Sequence, residues 1–408
     1  MATKIEGATV ILPDDVVETD VLIADGLIAE VGGSSPGDKT IDARGRILAP
    51  AMIDIHGDAF ERQIMPRPRV YFPLEAALLE TDRQLAANGI TTAYHAVTLS
   101  WEPGLRCVER GEEMIDTLAA LTPRLTVENR IQLRWETFAS EAMPLITRAL
   151  EAPLCPSVAF NDHTSMSMRD PSEPVQARLF EHNPAFKLGD PNDLHFRSLQ
   201  KSTAQRAGLS EDAYIDLLTK TYDRRPDVPG WIADIAAKAR ARGAPMLSHD
   251  DTQLETRDFF RSQGARIAEF PMSLEVAQAA RDAGDHIAFG APNVVRGGSH
   301  IGSPNAADMV EAGLCEMLAS DYFYPAMLAA VARLHAEKRA PLEKIWSLVS
   351  NGPAAAHGLN DRGRIEIGKR ADLVLIDWPE QAVGTNPTPA IKQTLCKGKT
   401  AYLADAAG

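Results

Sequence analysis

The chain has 408 residues, 45% of them hydrophobic, which suits one large barrel with a small accessory domain. The formal net charge of −14 argues against nucleic acid or an anionic membrane as the main partner, but not against a small anionic substrate. No apolar stretch approaches the roughly 20 residues of a membrane span. The N-terminus lacks a secretory pattern, and the scattered Cys107, Cys155, Cys315 and Cys396 indicate reduced thiols in a cytoplasmic protein.

Both ends of the chain have the alternating pattern of short β-strands. The first 50 residues contain "GATVILPD" and "DVLIADGLIAEVG", and the last 40 or so contain "ADLVLIDWP" and "IKQTLCKGKTAYL". They could form two unrelated β pieces. We favour one small β-sandwich domain built from residues 1–50 and 360–408, because a piece that short would bury little core alone.

Residues 51–359 alternate apolar strand-like runs with helical stretches, which predicts an α/β fold. Eight such runs occur: "AMIDIH", "ITTAYHAVT", "RIQLRWETF", "CPSVAFNDH", "APMLSHDD", "RIAEFPMS", "HIAFGAPN" and "LCEMLASDY". Eight βα units predict a parallel (β/α)8 barrel of the TIM type. An open, doubly wound sheet is the alternative, although no G-x-G-x-x-G follows the first run.

Imidazole and carboxylate side chains stand at the ends of these runs, where a barrel places its chemistry. They are His56 and Asp58 in the first run, His95 in the second, Glu136 in the third, Asp162 and His163 in the fourth, His249, Asp250 and Asp251 in the fifth, and Asp321 in the eighth. Such groups are costly to bury unless they are paired or bound to a metal. Together they predict one or two divalent ions, Zn²⁺ or Mn²⁺, with Asp321 as the base that takes a proton from water.

Structural explanations compete with this one. His56 and Asp58 could form a buried ion pair, and Glu136 could pair with Arg134. His95 is as well explained by a core histidine as by a further metal ligand. His182, His195, His335 and His357 suit loops or helices and are given no role.

The segment "GAPNVVRGGSHIGSPN", residues 290–305, follows the seventh run and is rich in Gly, Ser and Asn. Its backbone N–H groups can form an anion nest at Gly297 and Gly298, beside Arg296 and His300. A surface loop is an equal alternative. Residues 62–70, "RQIMPRPRV", add further arginines, among them Arg67, or form a solvated basic loop. Together these arginines favour a polyanionic substrate.

The motifs "ILAPAMIDIHGD" and "NGPAAAHGL…GRIEIGKRADLVLID" resemble those of the amidohydrolase superfamily. The segments "MPRPRVYFP", "SHDDT", "GAPNVVRGGSH" and "LASDYFYPAML" resemble its phosphonate-utilisation branch more specifically. The resemblance implies a metal-dependent cytoplasmic hydrolase that releases pyrophosphate from a ribose 1-phosphonate 5-triphosphate. A homo-oligomer is also expected.

Carried over by motif, the resemblance makes His56 and Asp58 the first-strand ligand pair, where the superfamily usually has two histidines. Glu136 becomes a bridging carboxylate, His163 and His249 the ligands of a second ion, and Asp321 the last ligand and base. A cyclic amide hydrolase is the alternative function, and a non-catalytic scaffold on the same fold is a third hypothesis.

Overall fold

The computed structural model describes residues 2–151, 153–299, 302–379 and 388–404. It contains two eight-stranded sheets, one from the chain ends and one from the middle of the chain. Within these ranges, no helix is both long and apolar enough to cross a membrane.

The first sheet begins with the N-terminal residues. Its first strands are β1 (Thr3–Ile11), β2 (Val16–Ala24), β3 (Leu27–Val31), β4 (Lys39–Asp42) and β5 (Ile47–Pro50). β1 pairs antiparallel with β2, and its two halves pair parallel with β4 and β5. Gly7, with a φ of +70°, lies at the irregularity between those halves, and a Cβ there would lie 2.5 Å from the Arg44 side chain. The bend therefore requires glycine.

The second sheet is the barrel. Its strands are β6 (Met52–Gly57), β7 (Ile90–Leu99), β8 (Glu128–Glu136), β9 (Ser157–Asn161), β10 (Met246–His249), β11 (Ile267–Glu269), β12 (His286–Gly290) and β13 (Met317–Ala319). Consecutive strands are parallel neighbours, and a bridge between Gly57 and Asp321 joins the first to the last. The eight predicted runs are these eight strands, so the barrel prediction is confirmed. Nearly every strand residue is buried, as expected where helices cover a parallel sheet.

The helices surround the barrel. They are α1 (Glu61–Ile64), α2 (Leu74–Ala87), α3 (Val108–Leu121), α4 (Met143–Leu150), α5 (His163–Met168), α6 (Leu194–Ala207), α7 (Glu211–Tyr222), α8 (Val228–Ala241), α9 (Leu254–Ser262), α10 (Leu274–Asp282), α11 (Ala291–Arg296), α12 (Ala306–Glu311), α13 (Ala326–Ala336), α14 (Leu342–Ser347) and α15 (Asn351–Ala356). The longest excursion, residues 162–245, carries α5 to α8 between β9 and β10.

The C-terminal strands complete the first sheet. They are β14 (Leu373–Asp377), β15 (Ala390–Cys396) and β16 (Lys399–Leu403). β14 pairs antiparallel with β5, so the two chain ends meet in one sheet. A β domain built from both ends is therefore confirmed, while the exact boundaries at residues 50 and 360 stay a prediction. Ile5, Val10, Leu48 and Leu373 lie in its core.

Candidate metal centre and substrate cleft

Three overlapping groups of potential metal ligands lie at the carboxyl ends of the barrel strands. One group joins His56, His249 and Glu269, a second joins His163, His249 and Asp250, and a third joins His56, Asp58 and Asp321. Within each group the potential ligand atoms lie within 4.8 Å of one another. Because His56 and His249 each belong to two groups, the arrangement suits two neighbouring ions as well as one.

The barrel closes at these same residues. The backbone N–H of Asp321 donates to the carbonyl of His56 at 2.9 Å, and the N–H of Asp58 donates to the carbonyl of Asp321 at 2.9 Å. The side chains of the first and last strands are thereby held side by side. Burial raises the pKa of Asp321 above its usual range, while nearby His56 opposes that shift.

Glu269, at the end of the sixth strand, was not predicted as a site residue. Its Oε1 lies 3.0 Å from His56 Nδ1 and accepts a hydrogen bond from Gln132 at 2.8 Å. Burial alone would raise the pKa of Glu269, but His56 outweighs it and lowers the pKa to about 2. The sequence signal was a lone carboxylate at the end of an apolar strand, "RIAEF".

Asp250 was identified at a strand end but was given no role. Its Oδ2 lies 3.0 Å from His249 Nδ1 and 3.7 Å from His163 Nε2. Burial opposes ionisation, yet the two histidines hold the pKa of Asp250 well below its usual range. Asp250, Phe270 and Asp321 have φ values of 57°, 57° and 54°, which non-glycine residues rarely adopt. Such backbone strain is concentrated at functional sites.

Glu136 contacts His163. The His163 Nδ1 lies 2.5 Å from Glu136 Oε1, and the His163 backbone N–H donates to Oε2 at 3.0 Å. His163 begins α5, which Asp162 caps by accepting from the Ser165 N–H at 2.8 Å. Burial disfavours the charged forms of both side chains. Their mutual attraction outweighs it, lowering the pKa of Glu136 to about 2 and raising the pKa of His163 to about 9. Glu136 thus orients His163, whose Nε2 lies towards Asp250, and Glu136 is not a member of the three ligand groups found among the described residues. Its predicted role as a bridging carboxylate stays a prediction.

The side chains fit a divalent ion. Glu269 is fully buried, and its Oε2 has no hydrogen-bond partner in the described ranges. This oxygen lies 3.9 Å from His249 Nε2, too far for a hydrogen bond. Ligand bonds of about 2.0–2.2 Å allow that spacing around one ion. Imidazole nitrogen and carboxylate oxygen are donors that Zn²⁺ and Mn²⁺ accept.

Arg134 places a cation among these acids. Its Nη1 lies 3.5 Å from Asp58 Oδ2, its Nη2 lies 3.5 Å from His249 Nε2, and its Nε donates to Asn161 Oδ1 at 3.1 Å. Its partners therefore differ from the predicted pairing with Glu136. Only 7% exposed, it lines the cleft beside the ligand groups.

The structure places His95 away from the ligand groups. Its Nε2 lies 2.7 Å from Asn129 Oδ1, its ring meets Phe60 edge-on, and the nearby charge is that of Asp82 on α2. Burial lowers the pKa of His95. These contacts place the ring between the strands and the helical layer, as expected of a core histidine.

A cavity of about 260 Å³ joins the ligand groups to the segment after the seventh strand. His163, His249, Asp250 and Asp321 line one side, and Arg296, Gly298, Ser299 and Ser303 line the other. Arg296 ends α11, and Gly297 follows with a φ of +79°. Arg333 holds the end of this helix by donating to the carbonyls of Val294 at 3.0 Å and Val295 at 2.9 Å. Arg296 and Gly298 thus line the same cavity as the ligand groups. The N–H groups of Gly297 and Gly298 both donate to the carbonyl of Asn293, at 3.1 and 3.0 Å, so they cap α11 and do not form the open anion nest that the sequence predicts. Substrate binding by Arg296 stays a prediction.

The other two predicted substrate contacts are His300 and Arg67. His300 lies outside the described residues. Arg67 lies in an exposed turn in which the Val70 N–H donates to its carbonyl at 3.0 Å, and it does not line the cavity.

Sequence comparison finds relatives over most of the chain. The profile of the "Amidohydrolase family" matches residues 202–402. The alpha-D-ribose 1-methylphosphonate 5-triphosphate diphosphatase of Escherichia coli (strain K12) is 31% identical over 377 residues, 91% of this chain and 94% of that protein. A dihydroorotase of Lactobacillus helveticus is 39% identical over only 56 residues, 14% of this chain and 13% of that protein.

Solved structures share the fold at low sequence identity. A zinc-bound adenosine deaminase from Xanthomonas campestris superposes with a TM-score of 0.63 at 12% identity, over 98% of this chain and 93% of that one. A molinate hydrolase has a TM-score of 0.62 at 16% identity, over 98% and 94% of the two chains. These likenesses support the barrel with its accessory sheet.

Proposed function

The chain belongs to the amidohydrolase family, and we propose that it is the metal-dependent hydrolase that releases pyrophosphate from a ribose 1-phosphonate 5-triphosphate. The relationship to the E. coli diphosphatase extends over 91% of the chain. The observation that carries the proposal is the shared cavity, which Arg296, Ser299 and Ser303 line together with the ligand groups. A guanidinium group and hydroxyl groups beside a hydrolytic centre suit a substrate whose reacting group is itself a phosphate chain.

We propose that His56, Asp58, Asp321, His163, His249, Asp250 and Glu269 hold one or two divalent ions. The ion proposed is Zn²⁺, with Mn²⁺ as the alternative. A bound ion would lower the pKa of water and neutralise phosphate charge. Glu136 would keep Nε2 of His163 directed at the ion through its bond to Nδ1.

The protein's own groups would divide the remaining work. The carboxylate of Asp321 accepts a proton from the attacking water as the water oxygen bonds to the α-phosphorus. The bond from the α-phosphorus to the bridging oxygen breaks, and pyrophosphate leaves with that oxygen. Arg296 holds the departing pyrophosphate, and Arg134 neutralises charge at the α-phosphate. The other product is the ribose 1-phosphonate 5-monophosphate.

Phosphorus NMR tests this proposal directly. The zinc-loaded protein is mixed with a ribose 1-phosphonate 5-triphosphate, and the chelator-stripped protein serves as the control. We expect a pyrophosphate signal and a monophosphate signal in equal amounts, only in the loaded sample. An unchanged spectrum from protein with measured metal would overturn the proposal, and turnover of dihydroorotate would then favour the cyclic amide alternative.

A further inference from the structure

A second cavity of about 250 Å³ adjoins the first on the side of the second and third strands. Arg134, His163 and Met166 line both cavities, so these residues stand between them. Its remaining walls come from the segment after β7 and from the long excursion that carries α5 and α6. The cleft therefore has two lobes, one on each side of the candidate metal centre.

Three guanidinium groups and two carboxylates line the second lobe. Arg106, Arg134 and Arg206 line it, against Glu102 and Glu136. Both carboxylates are already engaged, since Glu136 is bonded to His163 and Glu102 accepts from the Tyr214 hydroxyl at 2.7 Å. Arg106 is paired with Glu61, and Arg134 lies 3.5 Å from Asp58, so Arg206 is the guanidinium group that an anion in this lobe would meet.

Arg206 is the least committed of the three guanidinium groups. Arg106 is held by two hydrogen bonds of 2.9 Å to Glu61. Arg206 lies 3.6 Å from Glu102, beyond hydrogen-bond distance, and its side chain is 52% exposed at the end of α6. It can turn towards a ligand at little cost.

A residue with an unsatisfied hydroxyl also lines this lobe. Thr98, near the end of the second strand, is only 6% exposed and lines the cavity. Its Oγ1 has no hydrogen-bond partner within the described part of the chain. A buried hydroxyl without a partner is costly, and a polar ligand in the cavity would supply one.

We propose that the second lobe binds the ribose and its 1-phosphonate, with Arg206 as the specificity-determining contact to the phosphonate. This inference rests on the proposed function. The triphosphate lies towards Arg296 in the first lobe, the scissile bond lies at the ligand groups, and the sugar extends past Arg134 into the second lobe. Thr98 Oγ1 makes a hydrogen bond to the sugar. Anionic groups at both ends of the substrate are thus recognised by different arginines.

The test compares two substrates on one variant. One is the ribose 1-phosphonate 5-triphosphate, and the other is 1-O-methylribose 5-triphosphate, which lacks the phosphonate. In Arg206→Gln, we expect kcat/KM for the phosphonate to fall about 10- to 100-fold, mainly through KM, because a charge-assisted contact is lost. The kcat/KM for 1-O-methylribose 5-triphosphate should change less than about threefold. Lys201→Gln, which removes an exposed charge from the same helix, serves as the matched control.

The outcomes separate the two proposals. If the unaltered protein releases pyrophosphate from neither substrate, the proposed function fails. The phosphonate subsite is overturned if the unaltered protein is active but Arg206→Gln lowers kcat/KM equally for both substrates. It is also overturned if Arg206→Gln lowers kcat/KM for neither substrate. Thr98→Val provides a second measurement, with a loss of about tenfold expected for both substrates because both carry the sugar. Unchanged kinetics in Thr98→Val would remove the sugar from this lobe.

Discussion

The two ends of the barrel both bury charge, but they balance it differently. At the amino-terminal end, Glu128, Asp361 and Asp372 face Arg130, Arg362 and Arg370, three acids against three guanidinium groups with contacts of 2.6–3.7 Å. At the carboxyl end, five acids and three histidines lie beside two guanidinium groups, those of Arg134 and Arg106: Asp58, Glu136, Asp250, Glu269 and Asp321, with His56, His163 and His249.

This difference in charge balance distinguishes a cluster that stabilises the fold from a cluster that serves the proposed activity. The amino-terminal cluster joins the start of β8 to the segment that leads into β14, so it fastens the barrel to the terminal sheet. Its charges are neutralised within the protein. The carboxyl-end cluster has more acids than guanidinium groups and pairs its acids with histidines, and a bound cation would take over the role of positive partner.

The largest effect is expected from His249→Ala, because His249 belongs to two ligand groups. Activity should fall at least about 1,000-fold as metal is lost from the centre. Metal content is read by elemental analysis and activity by pyrophosphate release. His335→Ala, an exposed histidine on α13 that contacts Trp378, is the control and should retain both. Full metal content in His249→Ala would contradict the assignment.

A smaller effect is expected from Glu136→Gln, which keeps the shape of the side chain but removes the charge that orients His163. Metal affinity should fall about 10- to 100-fold, the usual cost of losing a partner of a metal-bound histidine. Competition with a zinc chelator measures it. Glu141→Gln removes an exposed acid just after the third strand and should bind metal normally. If Glu136→Gln binds zinc as tightly as the unaltered protein does, Glu136 has no role in holding His163.

Arg296→Gln should weaken substrate binding rather than chemistry. We expect KM for the triphosphate to rise about tenfold, with kcat lowered less than about threefold. Arg67→Gln sharpens the comparison, since the sequence predicts a substrate contact there and the structure leaves it in an exposed turn. Equal increases in KM for the two variants would extend the binding surface to residues 62–70.

The smallest effect on activity, below about twofold, is expected at the balanced end of the barrel, from Glu128→Gln. Burial alone would raise the pKa of Glu128, but Arg362, Arg370 and Arg130 lower it from 4.5 to about 2. A lowered carboxyl pKa stabilises the fold above pH 4.5, and this contribution is lost as the pH falls towards 2. The substitution should therefore cost about 2–3 kcal/mol of unfolding free energy at pH 7.

Urea unfolding at pH 7 and at pH 3.5 checks this expectation. The difference between the unaltered protein and Glu128→Gln should be smaller at the lower pH, because the unaltered carboxylate loses its advantage there. Glu366→Gln changes an exposed acid in the same returning segment and should unfold like the unaltered protein at both values. A difference that does not depend on pH would mean that the charge of Glu128 is not what fastens the two sheets.

The sequence alone determined the barrel and much of its rim. Eight apolar runs separated by helices can close in few ways, and polar residues after such runs collect at one end. This is why His56, Asp58, His249 and Asp321 could be placed together before any coordinates, and why the chain ends could be joined in one sheet. These inferences depend on local patterns, which the sequence records directly.

Only the tertiary structure decided which side chains touch. Glu269 is 213 residues from His56, and no local pattern indicates that the sixth strand aligns it with the first. His95 stands near the end of its strand, but its ring bonds to Asn129 of the neighbouring strand β8, whose amide donates to Asp82 of the helical layer. Contacts of this kind depend on strand register and on which side of the sheet a residue faces. These are properties of the closed barrel, because a shift of one residue turns a side chain to the opposite face.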